Sequence, residues 1–167
     1  MKNLVSVIMP YYRKKNYFFK SVNSVLNQTY TDFEILIIYD DQNRNDLEYI
    51  TTCVKNDLRV KIIFNDKNRG VAYSRNKALS IAQGEYMAFL DCDDYWDLKK
   101  IEIQLNFMLI NGYDFSYTTY QIINYKEKII GTIKARKILK YKELLKSCDI
   151  GLSSVILKRK LLNEIKF

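Results

Sequence analysis

Apolar and polar positions along this chain come in blocks. Val5-Ser6-Val7-Ile8-Met9 is a nearly unbroken apolar run that stops at Pro10, and it predicts a strand buried on both faces. From Tyr17 to Leu26 the apolar residues Phe18, Val22, Val25 and Leu26 fall at helical spacing. Glu34 to Tyr39 reads as a second buried strand ending in Asp40-Asp41. A helix beginning at Asn45 or Asp46 then carries Leu47, Ile50 and Val54. Val60 to Phe64 predicts a third strand, Asn68-Arg69-Gly70 a turn, Val71 to Ala82 a helix terminated by Gly84, and Tyr86 to Leu90 a fourth strand. Uniformly apolar strands alternating with helices predict a parallel sheet covered on both faces.

The alternation loosens after Asp97. Leu98 to Ile110 predicts a helix ended by Asn111-Gly112, and Phe115 to Tyr125 with Lys128 to Ile133 predicts a hairpin turning near Lys126-Glu127. Tyr141 to Lys146 reads as a short helix, Leu152 to Leu157 as a strand, and Lys158 to Ile165 as the start of a helix. No apolar run approaches the ~20 residues of a membrane span, and the N-terminus shows no signal-peptide pattern. Cys53, Cys92 and Cys148 form neither a metal-ligand pattern nor a disulfide framework. A reducing cytoplasm is therefore the expected compartment.

Composition removes whole classes of chemistry. The chain has no histidine, which excludes Ser-His-Asp and Cys-His catalysis and the usual zinc enzyme sites. Acid–base work falls to Asp, Glu, Lys, Tyr or Cys. With 167 residues, 48% of them apolar, the chain can bury the core of one globular domain. The net charge of +8 is gathered late, at Lys134, Arg136, Lys137, Lys140, Lys142, Lys146 and Lys158-Arg159-Lys160. That is either a solvated basic face or a surface for nucleic acid, an anionic membrane or phosphorylated substrates.

Ligands of such sheets bind beyond the carboxyl ends of the strands. Three polar clusters are expected there: Pro10 to Arg13, Asp40 to Asn43, and Asp91 to Asp94, with Arg69 and Arg75 brought in through the Gly70 turn. Asp91-Cys92-Asp93-Asp94 is the most pointed of them. Three carboxylates this close repel one another unless a cation neutralises them. Mg²⁺ or Mn²⁺ takes oxygen ligands and needs only one or two carboxylates when substrate phosphates complete its shell. The alternative is an acidic turn with Asp97 capping the following helix.

Taken in order, these segments resemble a known family. Val5 to Tyr12, Ser24-Val25-Leu26-Asn27-Gln28-Thr29-Tyr30, Phe33-Glu34-Ile35, Asn68-Arg69-Gly70, Ser74-Arg75-Asn76, Gly84-Glu85-Tyr86 and Phe89 to Asp94 are similar to family 2 glycosyltransferases over residues 4–110. Cys148 to Ser154 is similar to bacterial members that build surface polysaccharide or lipo-oligosaccharide. The resemblance implies an α/β GT-A fold, Rossmann-like, with a mostly parallel central sheet covered by helices. It implies a single domain over 1–167, with 1–97 as the nucleotide-sugar half and 98–167 as the start of an acceptor half. The implied reaction is transfer, with inversion, from a nucleotide-diphosphate sugar, most readily a uridine one, to a saccharide or lipid-linked acceptor.

The same resemblance assigns Pro10, Tyr12, Asp40, Asp41, Arg75, Asp91, Asp93 and Asp94 to the donor. Tyr12 would stack on the base. The Asp40-Asp41 pair would meet base and ribose, and because the usual Asp-Asp-Gly-Ser has become Tyr39-Asp40-Asp41-Gln42, either carboxylate could be the reader. Arg75 would lie near the nucleotide-sugar or form a surface salt bridge. Asp91 and Asp93 would hold Mn²⁺ or Mg²⁺, with Asp94 beside them, and Trp96 would face the acceptor or pack in the core. Peripheral association with a membrane is expected, and nucleic acid is not. The carboxylate base is expected beyond Phe167, because Asp114, Asp149 and Glu164 sit in no matching motif. A nucleotide-sugar binding fragment without the base is the alternative. A dinucleotide dehydrogenase would need Gly-X-Gly-X-X-Gly after the first strand, and Pro10-Tyr11-Tyr12-Arg13 offers none.

Overall fold

The computed structural model describes residues 3–147, 149–162 and 167, with Tyr141 by its backbone alone. Strands β1 (Val5–Tyr11), β2 (Phe33–Tyr39), β3 (Val60–Phe64) and β4 (Tyr86–Phe89) lie parallel in the order β3-β2-β1-β4. Helices α1 (Lys15–Leu26), α2 (Leu47–Val54) and α3 (Val71–Ile81) connect them, and α4 (Lys100–Asn111) follows β4. β1, β2 and β4 are almost wholly buried because alternate residues enter two different cores, whereas the edge strand β3 is only partly buried. Val5, Val7, Met9 and Tyr11 pack with Phe18 and Val22 of α1, Ile50 of α2, and Ile101 and Leu105 of α4. Ile8, Leu36, Ile38 and Phe89 face the other way, onto Ala78 of α3.

Pro10 does not end β1, which runs on to Tyr11. Pro10 points the same way as Ile8, toward β4, and the β4 ladder stops opposite Ile8, so no backbone donor is needed at Pro10. Nor is Gly84 the stop of α3, which already ends at Ile81. Its place is set by close approach: a Cβ there would stand 2.6 Å from the Ser6 nitrogen and 2.7 Å from the Leu4 oxygen. The Gly84 N–H donates to Ser6 Oγ, and the Ser6 hydroxyl donates to Glu34.

The later segments rearrange the expected hairpin. Phe115 to Tyr125 is not one strand. β5 (Phe115–Ser116) joins the main sheet, whereas β6 (Tyr120–Ile123) pairs with β7 (Ile129–Ile133) in a separate two-stranded sheet. Ser116 is held inward by the Gln104 side-chain amide, and the chain then swings out as the Tyr117 hydroxyl donates to the Arg136 carbonyl. A one-turn α5 (Tyr141–Leu144) precedes the last part of the sheet. The strand expected over Leu152 to Leu157 begins instead as a 3₁₀ turn, Leu152–Ser154, because both the backbone N–H and the hydroxyl of Ser154 donate to the Gly151 carbonyl. β8 (Ile156–Lys158) then enters antiparallel between β4 and β5, completing the order β3-β2-β1-β4-β8-β5. Arg159–Leu162 forms a 3₁₀ turn, and residues 163–166 of the expected final helix lie outside the described residues.

Candidate functional site

The end of β1 separates two adjacent tyrosines. Tyr11 is buried, edge-on to Phe18 and beside Tyr39 at 5.3 Å each, and its hydroxyl donates to Asp46 Oδ2 at 2.7 Å. The next side chain must point to the opposite side of the strand, and Tyr12 emerges 39% exposed at the carboxyl edge. Packing therefore belongs to Tyr11, and Tyr12 is left partly exposed at the edge of the site. At Arg13 the backbone takes a positive φ of 51°, which turns the chain out of the sheet. The Arg13 guanidinium lies 4.9 Å from the Tyr12 ring, and its Nε donates to Asp41 Oδ2 at 2.7 Å.

Beyond β2, the two aspartates have different partners. Asp40 is buried and accepts from the Asn65 side-chain amide at 2.7 Å, the Arg69 N–H at 2.8 Å and the Gly70 N–H at 2.9 Å. It therefore fixes the turn that opens α3, where Gly70 has a φ of 87° that a side chain would strain. Asp41 accepts from Arg13 and, in an Asx turn, from the Asn43 N–H. The Arg13 hydrogen bond, followed by that of Asn43, holds the Asp41 carboxyl below its ordinary value. An ionised carboxylate offers about four lone-pair sites, so both retain room for a further donor.

Beyond β4, Leu90 is still tied to β1 through its N–H to the Ile8 carbonyl. Asp91 Oδ1 accepts from Arg75 at 2.7 Å, Asp93 Oδ2 from Lys14 at 2.7 Å, and Asp94 Oδ2 from the Ser153 hydroxyl at 2.5 Å. Cys92, between them, points inward and donates its S–H to the Pro10 carbonyl at 3.0 Å, pinning the acidic loop to the end of β1. Burial pushes the Cys92 thiol well up, so it stays protonated and inert. Desolvation first, then the charges of Asp91 and Asp93, raise the Asp94 carboxyl against the hydrogen bond from Ser153. Arg75 is no surface salt bridge: its side chain is 12% exposed, and its Nε is buried with no partner among the described residues.

A continuous chain of contacts thus links the sequence-derived residues: Tyr12–Arg13–Asp41, Asp40–Gly70 at the head of the helix bearing Arg75, Arg75–Asp91, and Pro10–Cys92. Lys14, Asn65 and Ser153 belong to the same network; the sequence assigned none of them a role, although Ser153 falls in the Cys148 to Ser154 stretch of the resemblance. Lys14 adjoins the Pro10 to Arg13 cluster, but the reach of its side chain to Asp93 depends on where α1 begins. Trp96 is buried in the core, with its indole N–H donating to the Ser153 carbonyl. It also floors a groove of about 470 Å³ lined by Phe19, Lys20, Asn23 and Tyr95. Glu127, at the tip of the β6–β7 hairpin, reaches Lys20 at 2.6 Å beside that groove. Among the acidic candidates for a base, Asp114 is bound by Lys158 and Lys160, and Asp149 by Arg136. Glu164 lies outside the described residues.

Among the described residues no three Cys, Asp or Glu side chains converge as a self-contained metal site. Asp91 Oδ2 and Asp93 Oδ1 nevertheless have no protein partner among those residues. Two carboxylate oxygens of this kind fit a hard divalent ion whose remaining shell comes from a diphosphate.

The sequence profile described as "Glycosyl transferase family 2" matches residues 6–165. The chain belongs to glycosyl transferase family 2. Among relatives, it is 41% identical over 168 residues to WfgD of Escherichia coli, named as a UDP-Glc:alpha-D-GlcNAc-diphosphoundecaprenol beta-1,3-glucosyltransferase. That match takes in 98% of this chain and 64% of WfgD. It is 36% identical to TuaG of Bacillus subtilis, named for teichuronic acid biosynthesis, across 99% of this chain and 66% of TuaG. The chain thus spans about two thirds of the length of these family 2 relatives. S. aureus TarS (residues 1-349) in complex with UDP-GlcNAc superposes with a TM-score of 0.76 at 26% identity, covering 98% of this chain and 48% of that one. The Pyrobaculum calidifontis mannosyltransferase PcManGT, solved with GDP-Man and Mn2+, shares the fold at a TM-score of 0.70 and 15% identity, over 95% of this chain and 45% of its own. The fold is GT-A, as expected, and the homologues act in bacterial glycan synthesis. No described helix is long and apolar enough to cross a membrane.

Proposed function

We propose that this chain is the donor-binding part of a divalent-metal-dependent, inverting glycosyltransferase that uses a uridine-diphosphate sugar in bacterial surface glycan synthesis. The supporting observation is the convergence of Tyr12, Asp40, Asp41, Arg75, Asp91 and Asp93 on one carboxyl edge of a parallel sheet. The exposed Tyr12 ring would stack on the base, and the Asp40–Asp41 pair would accept its imide proton and the ribose hydroxyls. Residues 1–97 would form this donor half, and 98–167 the beginning of the acceptor half.

Asp91 and Asp93 would hold Mn²⁺ or Mg²⁺ through their unpartnered oxygens. Bound there, the ion would neutralise charge growing on the departing diphosphate. Arg75, which donates from one terminal nitrogen to Asp91, would keep that carboxylate oriented and share the same charge. Asp94, raised chiefly by burial and held by Ser153, would sit nearest the sugar. The acceptor, a saccharide or lipid-linked glycan, would enter over Trp96 and Tyr95. The base that takes its proton would be another carboxylate, since Asp114 and Asp149 are held in ion pairs. Basic residues such as Lys134, Lys137 and Lys140 would favour an anionic membrane bearing such an acceptor.

Calorimetric titration with UDP, with and without Mn²⁺, tests the reading. Metal-dependent binding that Asp93→Ala abolishes is expected. Wild-type affinity in that variant overturns the metal assignment, and a preference for GDP overturns the uridine one. Donor binding without transfer would favour the alternative of a non-catalytic nucleotide-sugar binding fragment.

A further inference from the structure

Three carboxylates follow β4, and the protein answers each with a different partner. Arg75 meets Asp91 from a largely buried position on α3, and Ser153 meets Asp94 with a neutral hydroxyl. Asp93 alone among the three is met by a solvent-facing ammonium: Lys14 Nζ stands 2.7 Å from Asp93 Oδ2, with side-chain exposures of 46% and 43%. The Lys14 backbone is fixed, because its carbonyl accepts the N–H groups of Tyr17 and Phe18 that begin α1. Its half-exposed side chain extends from that anchor to Asp93. An ion pair this wet adds little to folding and opens readily.

We infer that Lys14 is a built-in counter-cation for Asp93, guarding the acidic loop until a diphosphate arrives to take the ammonium over. This inference rests on the donor reading above. Without nucleotide, a divalent ion approaching Asp91 and Asp93 meets two positive side chains already in place, so the bare loop binds metal poorly. A diphosphate attracts the ammonium away from Asp93 and leaves that carboxylate to the metal. Metal and nucleotide then bind with positive coupling, each easing entry of the other.

The test is Lys14→Met, which keeps the aliphatic stem and removes the charge. Mn²⁺ binding is read by electron paramagnetic resonance without nucleotide, and UDP and UMP binding by calorimetry with Mn²⁺ present. Removing one unit charge at ~4 Å from a doubly charged ion is roughly a thirtyfold effect in unscreened water, so binding of Mn²⁺ alone should tighten by at least about fivefold once salt screens it. UDP with Mn²⁺ should weaken by at least a similar factor, and UMP, which lacks the second phosphate, should change little. Adding Asp93→Asn to Lys14→Met should cancel the gain for bare Mn²⁺, and Lys14→Arg should restore UDP affinity. Unchanged Mn²⁺ binding overturns the guard, as does equal weakening for UDP and UMP, which would mean a disturbed loop. If the wild type binds UDP indifferently to Mn²⁺, the donor reading fails, and the bare-metal comparison still judges Lys14 by itself.

Discussion

Asn65 donates its side-chain amide to Asp40 at 2.7 Å, joining the carboxyl ends of β3 and β2 just where α3 begins. The same amide reaches Ser74 Oγ at 3.0 Å, and Lys77 caps the Phe64 carbonyl and Asn65 Oδ1. Asp40 is thus the hub that seats the helix carrying Arg75. Asp40→Asn replaces one acceptor oxygen with a donor facing backbone N–H groups that need an acceptor. It should cost about 1–3 kcal/mol of stability in urea unfolding. Amide hydrogen exchange at Arg69 and Gly70 should rise with it, and protected amides in the variant would contradict the anchoring role.

The two tyrosines at the end of β1 should respond in opposite ways. Tyr11→Ala empties a fully buried aromatic site and should lose about 3–5 kcal/mol of folding stability. Tyr12→Ala should leave the thermal midpoint nearly unmoved and weaken UDP binding by about 1–3 kcal/mol, the range for an aromatic stacked on a base. Paired melting curves and titrations of the two variants separate packing from stacking.

Glu34 is almost buried within β2, yet it stays ionised. Burial opposes its charge, but hydrogen bonds from Ser6, the Gln83 N–H and Lys61 outweigh burial and lower its pKa. A carboxylate depressed in the folded state lends stability that is present above its ordinary value of 4.5 and lost as pH falls through the lower folded value. Glu34→Gln should therefore be less stable than wild type at pH 7, with the gap closing below about pH 4. A gap that stays constant from pH 7 to pH 3 would show that charge is not what Glu34 supplies.

Gly84→Ala is the harshest single-methyl change expected in the core. The added Cβ meets backbone atoms of Leu4 and Ser6 at 2.6–2.7 Å, and backbone of a central strand cannot shift cheaply. The variant should lose the Gly84-to-Ser6 hydrogen bond and unfold at lower urea by at least 2 kcal/mol, a typical overpacking cost. Ser6→Ala should be milder, since it removes the hydroxyl without adding volume.

The doubly buried strands were legible because apolar runs bounded by Pro10, Asp40 and Asp91 carry both length and position. Helical spacing likewise revealed α1 through Phe18, Val22 and Val25. The edges of the sheet were not legible. Phe115 and Ser116 look like the start of a longer strand, and only their pairing with Leu157 and Ile156 shows that they leave it. Ser154 reads as strand in sequence, and its hydrogen bonds to Gly151 make it a turn. The acidic loop announced itself through clustered charge, whereas its partners Lys14 and Ser153 come from 79 and 59 residues away, and no local pattern records such distances.

The placement of β8 between β4 and β5 has a consequence for how the molecule is made. β1 to β4 can assemble from the amino-terminal side as the chain emerges, each strand finding a neighbour already present. β5 cannot: its partner β8 lies about forty residues later, so Phe115 and Ser116 must wait for Ile156 and Leu157. During that interval the outer edge of β4 stands open, with Tyr86, Met87 and Ala88 offering unpaired backbone groups. Synthesis paused between residues 116 and 156 would therefore leave a sticky half-sheet, and rapid delivery of β8 is what seals it.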